Sequence, residues 1–356
     1  MAKIAIDCTH FIKGKAGGFE AYLLNLLDGL LSIDNLNITL YVLSGQQLSF
    51  VKYRRIFSVK PISVTNLYQR IAWQNMLLPF ISIKYDVILF PANFRPLLLF
   101  CRSVTVIHDL QYIYYPEYWS FPRLLYRRAF IPYSIKISGK VITISETIKR
   151  EIAKNFKRKD AIVIYNAIKR KRKSDEIATG IDIPQRFLLI PSALGPHKNL
   201  PNLVRAIDHL PIIDDSPYFV FVGAYESKDF PAKFESDRIL VLGYVDITIL
   251  ESLYSRCIAV ILPSVYEGFG MPYAEALFAN KPIVASDIPI AREILNENAE
   301  FIQAPFDDVQ IQKALRRVLD GSSTIPLPSD IDSLKTRTDP IEVARQYVGV
   351  LELEDL

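Results

Sequence analysis

Two glutamates, Glu267 and Glu275, flank a Gly-Phe-Gly-Met-Pro turn in the stretch PSVYEGFGMPYAEAL, Pro263 to Leu277. An apolar run, IAVILPS, precedes the turn and a helical pattern follows it. Pro272 suits the first turn of a helix, where a missing N–H costs nothing. Gly268 and Gly270 let the backbone bend and come close to a ligand. The unpaired N–H groups of that first turn would face the carboxyl end of a strand. Open α/β sheets bind ligands there, and a helix start there favours a phosphate. A carboxylate repels phosphate but accepts hydrogen bonds from hydroxyls. With Glu267 ahead of the helix and Glu275 read as lying in its first turn, the ligand that fits is a diphosphate with hydroxyls on both flanks. A nucleotide sugar has that form. The same spacing also suits a solvated helix start with two ordinary acids.

Such a site needs a sheet to carry it, and the chain supplies the pattern twice. KIAIDC is a β-branched strand of the kind buried in a parallel sheet. GKAGGFEAYLLNLLDGLLS is a glycine-rich loop running into a helix with Tyr22, Leu23, Leu26, Leu27 and Leu30 on one face. NITLYVLSG, YDVILFP, SVTVIHDL and KVITIS read as further strands. ETIKREIAKNF reads as a helix capped by Ser145, and DAIVIYNAI as a strand. After the basic run KRKRK, Lys169 to Lys173, the alternation restarts with RFLLIPSAL and continues to PIVASDI. The expected organisation is α/β, with two doubly wound domains facing a central cleft. The boundaries are 1–168, a linker over 169–183, 184–335, and a final helical pattern over 336–356 that could return to the first domain.

Composition narrows the classes. With 356 residues and half of them hydrophobic in short runs, the chain is globular and large enough for two cores. No apolar run is long enough to span a membrane, and MAKIAIDCTHF starts as a strand without signal-peptide architecture. Three separated cysteines and four scattered histidines fit neither a disulfide framework nor a metal set, so a reducing cytoplasm is the expectation. The net charge of +4 is unevenly spread. Residues 1–180 carry 27 Lys/Arg against 12 Asp/Glu, and residues 181–356 carry 15 against 26. Either the two halves meet different partners or they attract each other. A nucleic-acid partner, suggested by KRKRK, lacks a recognition motif to support it.

Taken with its neighbours, PSVYEGFGMPYAEAL resembles the E-G-F-G-x-P-x-x-E-A signature of retaining family 4 glycosyltransferases of the GT-B fold, which is built from two Rossmann-like domains. HKNLPNLVRAI resembles the family's Lys-Asn segment, VIHDL its His-Asp strand end, AGGFEAYLLNLL its first glycine-rich loop and ITISETIKREI its serine-capped helix. The order holds along nearly the whole chain.

The resemblance implies roles. Glu275 would bind the ribose hydroxyls and Glu267 the donor sugar near its anomeric centre. The backbone of Phe269, Gly270 and Met271 would hold sugar hydroxyls. Lys198 would stabilise the departing diphosphate, which removes the need for a metal, and no other cofactor is expected. His108 would hydrogen-bond the donor sugar, with Asp109 supporting it or its loop; a purely structural histidine is the alternative. Gly17 and Gly18 would let the first loop approach the diphosphate and the acceptor. Many relatives place an arginine near this lysine. Here SALGPHKN puts His197 before Lys198 with no arginine nearby, so either Lys198 acts with backbone donors alone, or His197 or a residue from another segment supplies the second cation; a neutral His197 capping the next helix is the alternative to a catalytic one.

The implied activity is a metal-independent, retaining transfer of a hexose from a GDP-, UDP- or dTDP-sugar to a lipid-linked glycan, as in O-antigen or other surface-polysaccharide synthesis. WQNMLLP and the strands around it resemble bacterial surface-polysaccharide transferases that use mannose or rhamnose donors. The acceptor is expected on the basic first half. FPRLLYRRAFIPYSIKISGK sets Arg123, Arg127 and Arg128 at helical spacing among apolar residues. Such a segment can rest on an anionic membrane, which places the protein on the inner face of the plasma membrane; the alternative is a solvated basic face. A sugar-nucleotide epimerase or a phosphorylase on the same fold is the runner-up.

Overall fold

The structure, a computed structural model, describes residues 2–14, 18–169, 183–192, 195–211, 216–223 and 237–352. The chain divides into one unit of Met1–Arg170 with Thr336–Leu356 and a second of Lys171–Lys335. Gly17 and the linker segment 170–182, with most of the KRKRK run, lie outside the described residues.

The first unit carries the strands β1 (Lys3–Asp7), β2 (Asn37–Leu43), β3 (Ser58–Ile62), β4 (Val87–Phe90), β5 (Arg102–Ile107), β6 (Lys140–Thr143) and β7 (Ile162–Val163). They form one sheet in the order β3-β2-β1-β4-β5-β6-β7. All its ladders are parallel, with Ile4 opposite both Ile38 and Val87. Its helices are α1 (Gly18–Leu30), α2 (Leu67–Ala72), α3 (Leu78–Ser82), α4 (Gln111–Tyr114), α5 (Phe121–Ile137) and α6 (Glu146–Phe156). A wider π turn, Trp73–Leu77, joins α2 to α3.

The second unit repeats the plan with β8 (Phe187–Pro191), β9 (Tyr218–Val222), β10 (Ile239–Gly243), β11 (Ala259–Leu262), β12 (Ile283–Ser286) and β13 (Glu300–Ile302), in the order β10-β9-β8-β11-β12-β13. These ladders too are parallel. Its helices are α7 (Leu200–Asp208), α8 (Ile247–Arg256), α9 (Met271–Phe278), α10 (Pro289–Leu295) and α11 (Asp308–Leu319); α12 (Pro328–Arg337) and α13 (Pro340–Glu352) follow. Both units are doubly wound α/β sheets.

Local chemistry accounts for the elements. Every residue of VILF, FLLIP and AVIL in β4, β8 and β11 is buried. Such strands must be covered on both faces, and the flanking helices do so. Ser145 accepts a hydrogen bond from the Ile148 N–H at 3.2 Å and starts α6 as the sequence suggests. Asp246 accepts from the Thr248 and Ile249 N–H groups at 2.9 and 3.1 Å and starts α8. The second core joins Leu188, Ile190, Phe219, Phe221 and Ile261 to the inner faces of α7 and α11.

One expectation changes. The run DAIVIYNAI pairs in the sheet over Ile162–Val163 alone. Further along, the Ile168 N–H donates to the Thr338 carbonyl at 2.8 Å, so this backbone turns to the C-terminal segment instead. That segment docks on the first unit. Tyr347 of α13 meets Tyr22 of α1, hydroxyl to hydroxyl, at 3.0 Å. Gly29 lets the helices touch, since a Cβ there would stand 1.9 Å from the Pro340 carbonyl oxygen.

Candidate active site

In the second sheet the connections reverse direction between the adjacent strands β8 and β11. Beyond the carboxyl ends of such a pair the loops part, leaving space for a ligand. A small recess opens there. Pro191 and Ser192 come from the end of β8, Leu262, Pro263 and Ser264 from the end of β11, and Lys198, Glu267, Gly270, Pro272 and Tyr273 complete its wall.

Gly270 sets the geometry of α9. Its φ is +72°, and a Cβ would stand 2.2 Å from Cδ2 of Tyr273. Only glycine fits both conditions. The helix proper begins at Met271, with Pro272 in its opening turn. Glu275 therefore lies in the second turn and not the first, because the helix starts at Met271, directly after the left-handed Gly270 and one residue ahead of Pro272. Phe269 is buried.

Lys198 ends a short 3₁₀ turn, Pro196–Lys198. The His197 carbonyl accepts the Val265 N–H at 2.8 Å, tying this turn to the loop after β11. Lys198 Nζ reaches Glu267 Oε1 at 2.5 Å, and both side chains are about 15% exposed. Burial pushes the Glu267 carboxyl up, but Lys198, His197 and the Ser264 hydroxyl outweigh it and hold the group below the ordinary carboxylate range. Asn199, at φ +57°, precedes α7 and makes no side-chain cap bond.

Glu275 has a different setting. The Tyr254 hydroxyl of α8 donates to its Oε2 at 2.9 Å. Burial raises the carboxyl, Tyr254 lowers it, and the charge of Glu251 raises it again, so the net shift is upward. One acid is thus ionised and paired, and the other is costly to ionise. Tyr273, beside Glu267, buries a hydroxyl that finds no partner among the described residues. Tyr254, Ser264 and Tyr273 were not singled out from the sequence. The signal for Tyr273 was its place one residue after Pro272, in the turn that faces the recess.

The other expected residues belong to the first unit. His108 follows β5, with its N–H donating to Asn93 Oδ1 at 2.6 Å. Its Nε2 lies 2.6 Å from the Pro91 carbonyl. A carbonyl only accepts, so Nε2 carries the proton and Nδ1 is left as the acceptor. Burial holds the ring's pKa below its ordinary value, against the pull of Pro91 and Asp109, so the ring is neutral. Phe19 and Tyr22 set it edge-on at 5.7 and 4.6 Å. Asp109 supports its loop, accepting the Gln111 N–H at 3.2 Å, and faces Arg127 at 4.0 Å. Gly18 is the exposed first residue of α1, with open space where a Cβ would stand. Arg123 and Arg128 are exposed on α5. Arg127 turns inward, its guanidinium 3.8 Å above the Trp119 ring, so the expected three-arginine surface keeps two members.

Comparison with known proteins agrees with the fold. Residues 16–172 match the family model Glycosyltransferase Family 4, and residues 171–345 match Glycosyl transferases group 1. The chain belongs to this family of GT-B glycosyltransferases. It is 32% identical to the O-antigen chain mannosyltransferase RfbU of Salmonella typhimurium, over 61% of each chain. It is 26% identical to the O-antigen chain mannosyltransferase B of Escherichia coli, over 55% of this chain and 56% of that one. The matches thus span about six-tenths of the length of these curated relatives. Among solved structures, Anabaena Alr3699/HepE in complex with UDP-glucose superposes with a TM-score of 0.73 at 18% identity, covering 99% of both chains. WaaG, a glycosyltransferase involved in lipopolysaccharide biosynthesis, gives 0.72 at 15% identity, covering 99% of this chain and 100% of that one.

Proposed function

We propose that the chain transfers a hexose, mannose or rhamnose, from a nucleoside-diphosphate sugar to a lipid-linked O-antigen or related surface glycan, with retention and without a metal ion. The observation that carries this reading is the Lys198–Glu267 pair at the start of α9, in the recess beyond β8 and β11. It offers one cation for a diphosphate and one carboxylate for a hydroxyl. The O-antigen mannosyltransferases among the relatives favour the mannose donor and the glycan acceptor.

In this reading Lys198 leaves Glu267 for the diphosphate and stabilises the charge that grows as the glycosidic bond breaks. That fixed charge does the work a metal ion would otherwise do. Glu267, released, accepts a hydroxyl of the donor sugar, and Glu275 accepts ribose hydroxyls beside Tyr254. His108 offers Nδ1 to a sugar hydroxyl. The acceptor hydroxyl attacks the anomeric carbon on the face the diphosphate leaves. One carbon–oxygen bond forms, one breaks, and the hydroxyl proton passes to a phosphate oxygen. No carboxylate nucleophile is required. The chain acts at the cytoplasmic face of the membrane that holds the acceptor.

The test is an assay of the purified protein against GDP-, UDP- and dTDP-sugars with a membrane-extracted lipid-linked acceptor, with and without EDTA. One donor should give an α-linked product from an α-linked sugar, at the same rate in EDTA. An inverted product, a rate restored only by added metal, or turnover without acceptor that yields an epimer would each overturn a named part of the proposal.

A further inference from the structure

Helices α2 and α3, with the π turn between them, cover the first sheet by burying Trp73 and Leu78 against Ala5, Ile88 and Phe90. Their outer side is not polar. Met76, Phe80 and Ile83, at helical spacing, are exposed together with Leu77, and Phe80 is 68% exposed. The segment after β4 adds Leu98 and Phe100, with Leu98 64% exposed. The Phe80 and Phe100 rings lie 6.3 Å apart. Two hydrogen bonds fix this segment to the helices, Leu97 N–H to Asn75 Oδ1 and Phe100 N–H to Ser82 Oγ, both at 2.9 Å. On its other side the segment is bound to α5. The Tyr133 hydroxyl donates to the Leu97 carbonyl at 2.8 Å, and the Arg95 N–H to Ser134 Oγ at 3.1 Å. The apolar side chains and the exposed Arg123 and Arg128 of α5 thus belong to one bonded helix layer. Soluble monomers rarely leave so many large apolar side chains together in water.

Charge selects the occupant. Between Asp34 and Asp109 the sequence holds eight Lys/Arg and a single acid, Asp86, and α5 has no acid at all. Asp86 is engaged by the Lys3 N–H at 2.6 Å. A second copy laid face to face on this layer would set Lys84, Arg123 and Arg128 against more cations. A bilayer with anionic headgroups instead supplies apolar depth to the side chains and negative charge to the rim.

We infer that the layer formed by α2, α3, the 96–101 segment and α5 is the surface on which this chain rests on an anionic bilayer, with Phe80, Leu98 and Phe100 entering the acyl boundary. The inference rests on the proposed function only for its expectation of a lipid-linked acceptor, and it moves the contact's centre from the arginines of α5 to the apolar side chains beside them.

Co-sedimentation with phosphatidylcholine vesicles, with and without phosphatidylglycerol, tests it on the full chain. The wild type should bind the anionic vesicles and weaken as salt rises. The triple variant Phe80→Ser, Leu98→Ser, Phe100→Ser should lose about tenfold or more in binding at low and high salt alike. Arg123→Glu with Arg128→Glu should lose binding at low salt only. All three substituted apolar side chains are exposed, so circular dichroism and melting should match the wild type. Wild-type binding by the folded triple variant overturns the inference. So does a dimer seen by light scattering that the triple variant dissolves, which would assign the face to a second copy. Donor turnover without vesicles should be unchanged in the triple variant. Its absence in the wild type would sink the proposed function while leaving the vesicle result to stand.

Discussion

Lys198 and Glu267 hold each other at 2.5 Å in a recess where each is expected to hold a different part of a donor. The pair keeps a mostly buried carboxylate ionised and gives the lysine a fixed position before any ligand arrives. Removing one member strands the other. Lys198→Ala should cost about 3 kcal/mol of stability, the lower end for breaking a buried pair, and about 100-fold or more in turnover. Adding Glu267→Gln to it should restore much of the melting temperature and none of the turnover. Calorimetry and a transfer assay on the two variants check this, and a single variant as stable as the wild type would refute it.

The two glutamates should respond to pH with opposite signs. The folded-state pKa of Glu267 is depressed, so its stabilising contribution is present above the unfolded value, about 4.3, and is lost as pH falls through the folded one. The folded-state pKa of Glu275 is raised. Its contribution is present below the unfolded value and is lost as pH rises through the folded one. Glu275→Gln should therefore melt higher than the wild type at pH 8, with the gain vanishing near pH 4, and should bind the donor more weakly. Thermal melts across pH check the sign; a lower melting temperature at pH 8 contradicts it.

What the sequence made legible follows from what is local. The Ser145 cap, the apolar face of α1 and the buried runs of β4, β8 and β11 could be read because each is decided by residues within a few positions. The glutamate pair could be placed at a strand–helix junction for the same reason. The pairing of Lys198 with Glu267 could not, because 69 residues separate them and it depends on β8 and β11 lying side by side. The inward turn of Arg127 was hidden likewise, since Trp119 and Asp109 become its neighbours through the fold of the 109–121 segment. The misplacement of Glu275 came from the helix start, which lies at Met271, directly after the left-handed Gly270, and not at Pro272. The exposed apolar layer was invisible because helical spacing does not tell an inner face from an outer one when both are apolar.

His108 should act as a neutral acceptor. Its Nε2 proton is committed to the Pro91 carbonyl and burial lowers its pKa. Protonation would therefore cost stability as pH falls through the folded value, and above it the residue stays in one form. His108→Phe keeps a ring against Phe19 and Tyr22 but offers no Nδ1. It should lower kcat/KM for the donor by about tenfold, the worth of one hydrogen bond, equally at every pH from neutral upward. A loss confined to acidic pH would instead assign the residue a proton-transfer role.

The docking of α13 on α1 makes a prediction whose sign runs against helix propensity. Gly29 lies inside α1, where alanine is intrinsically better by about 1 kcal/mol. Propensity alone would make Gly29→Ala stabilising. In the fold, that methyl would stand 1.9 Å from the Pro340 carbonyl oxygen and 2.9 Å from Ala344 Cβ. A backbone carbonyl cannot yield as a flexible side chain would, so α13 must shift and loosen the buried Tyr22–Tyr347 contact. Gly29→Ala should lower stability by about 1–3 kcal/mol, as overpacking does, and expose α13 to limited proteolysis. Tyr347→Phe should cost about 1 kcal/mol while leaving α13 protected. A Gly29→Ala protein that melts above the wild type, with α13 still resistant, would mean that the C-terminal helix does not rest where this packing puts it.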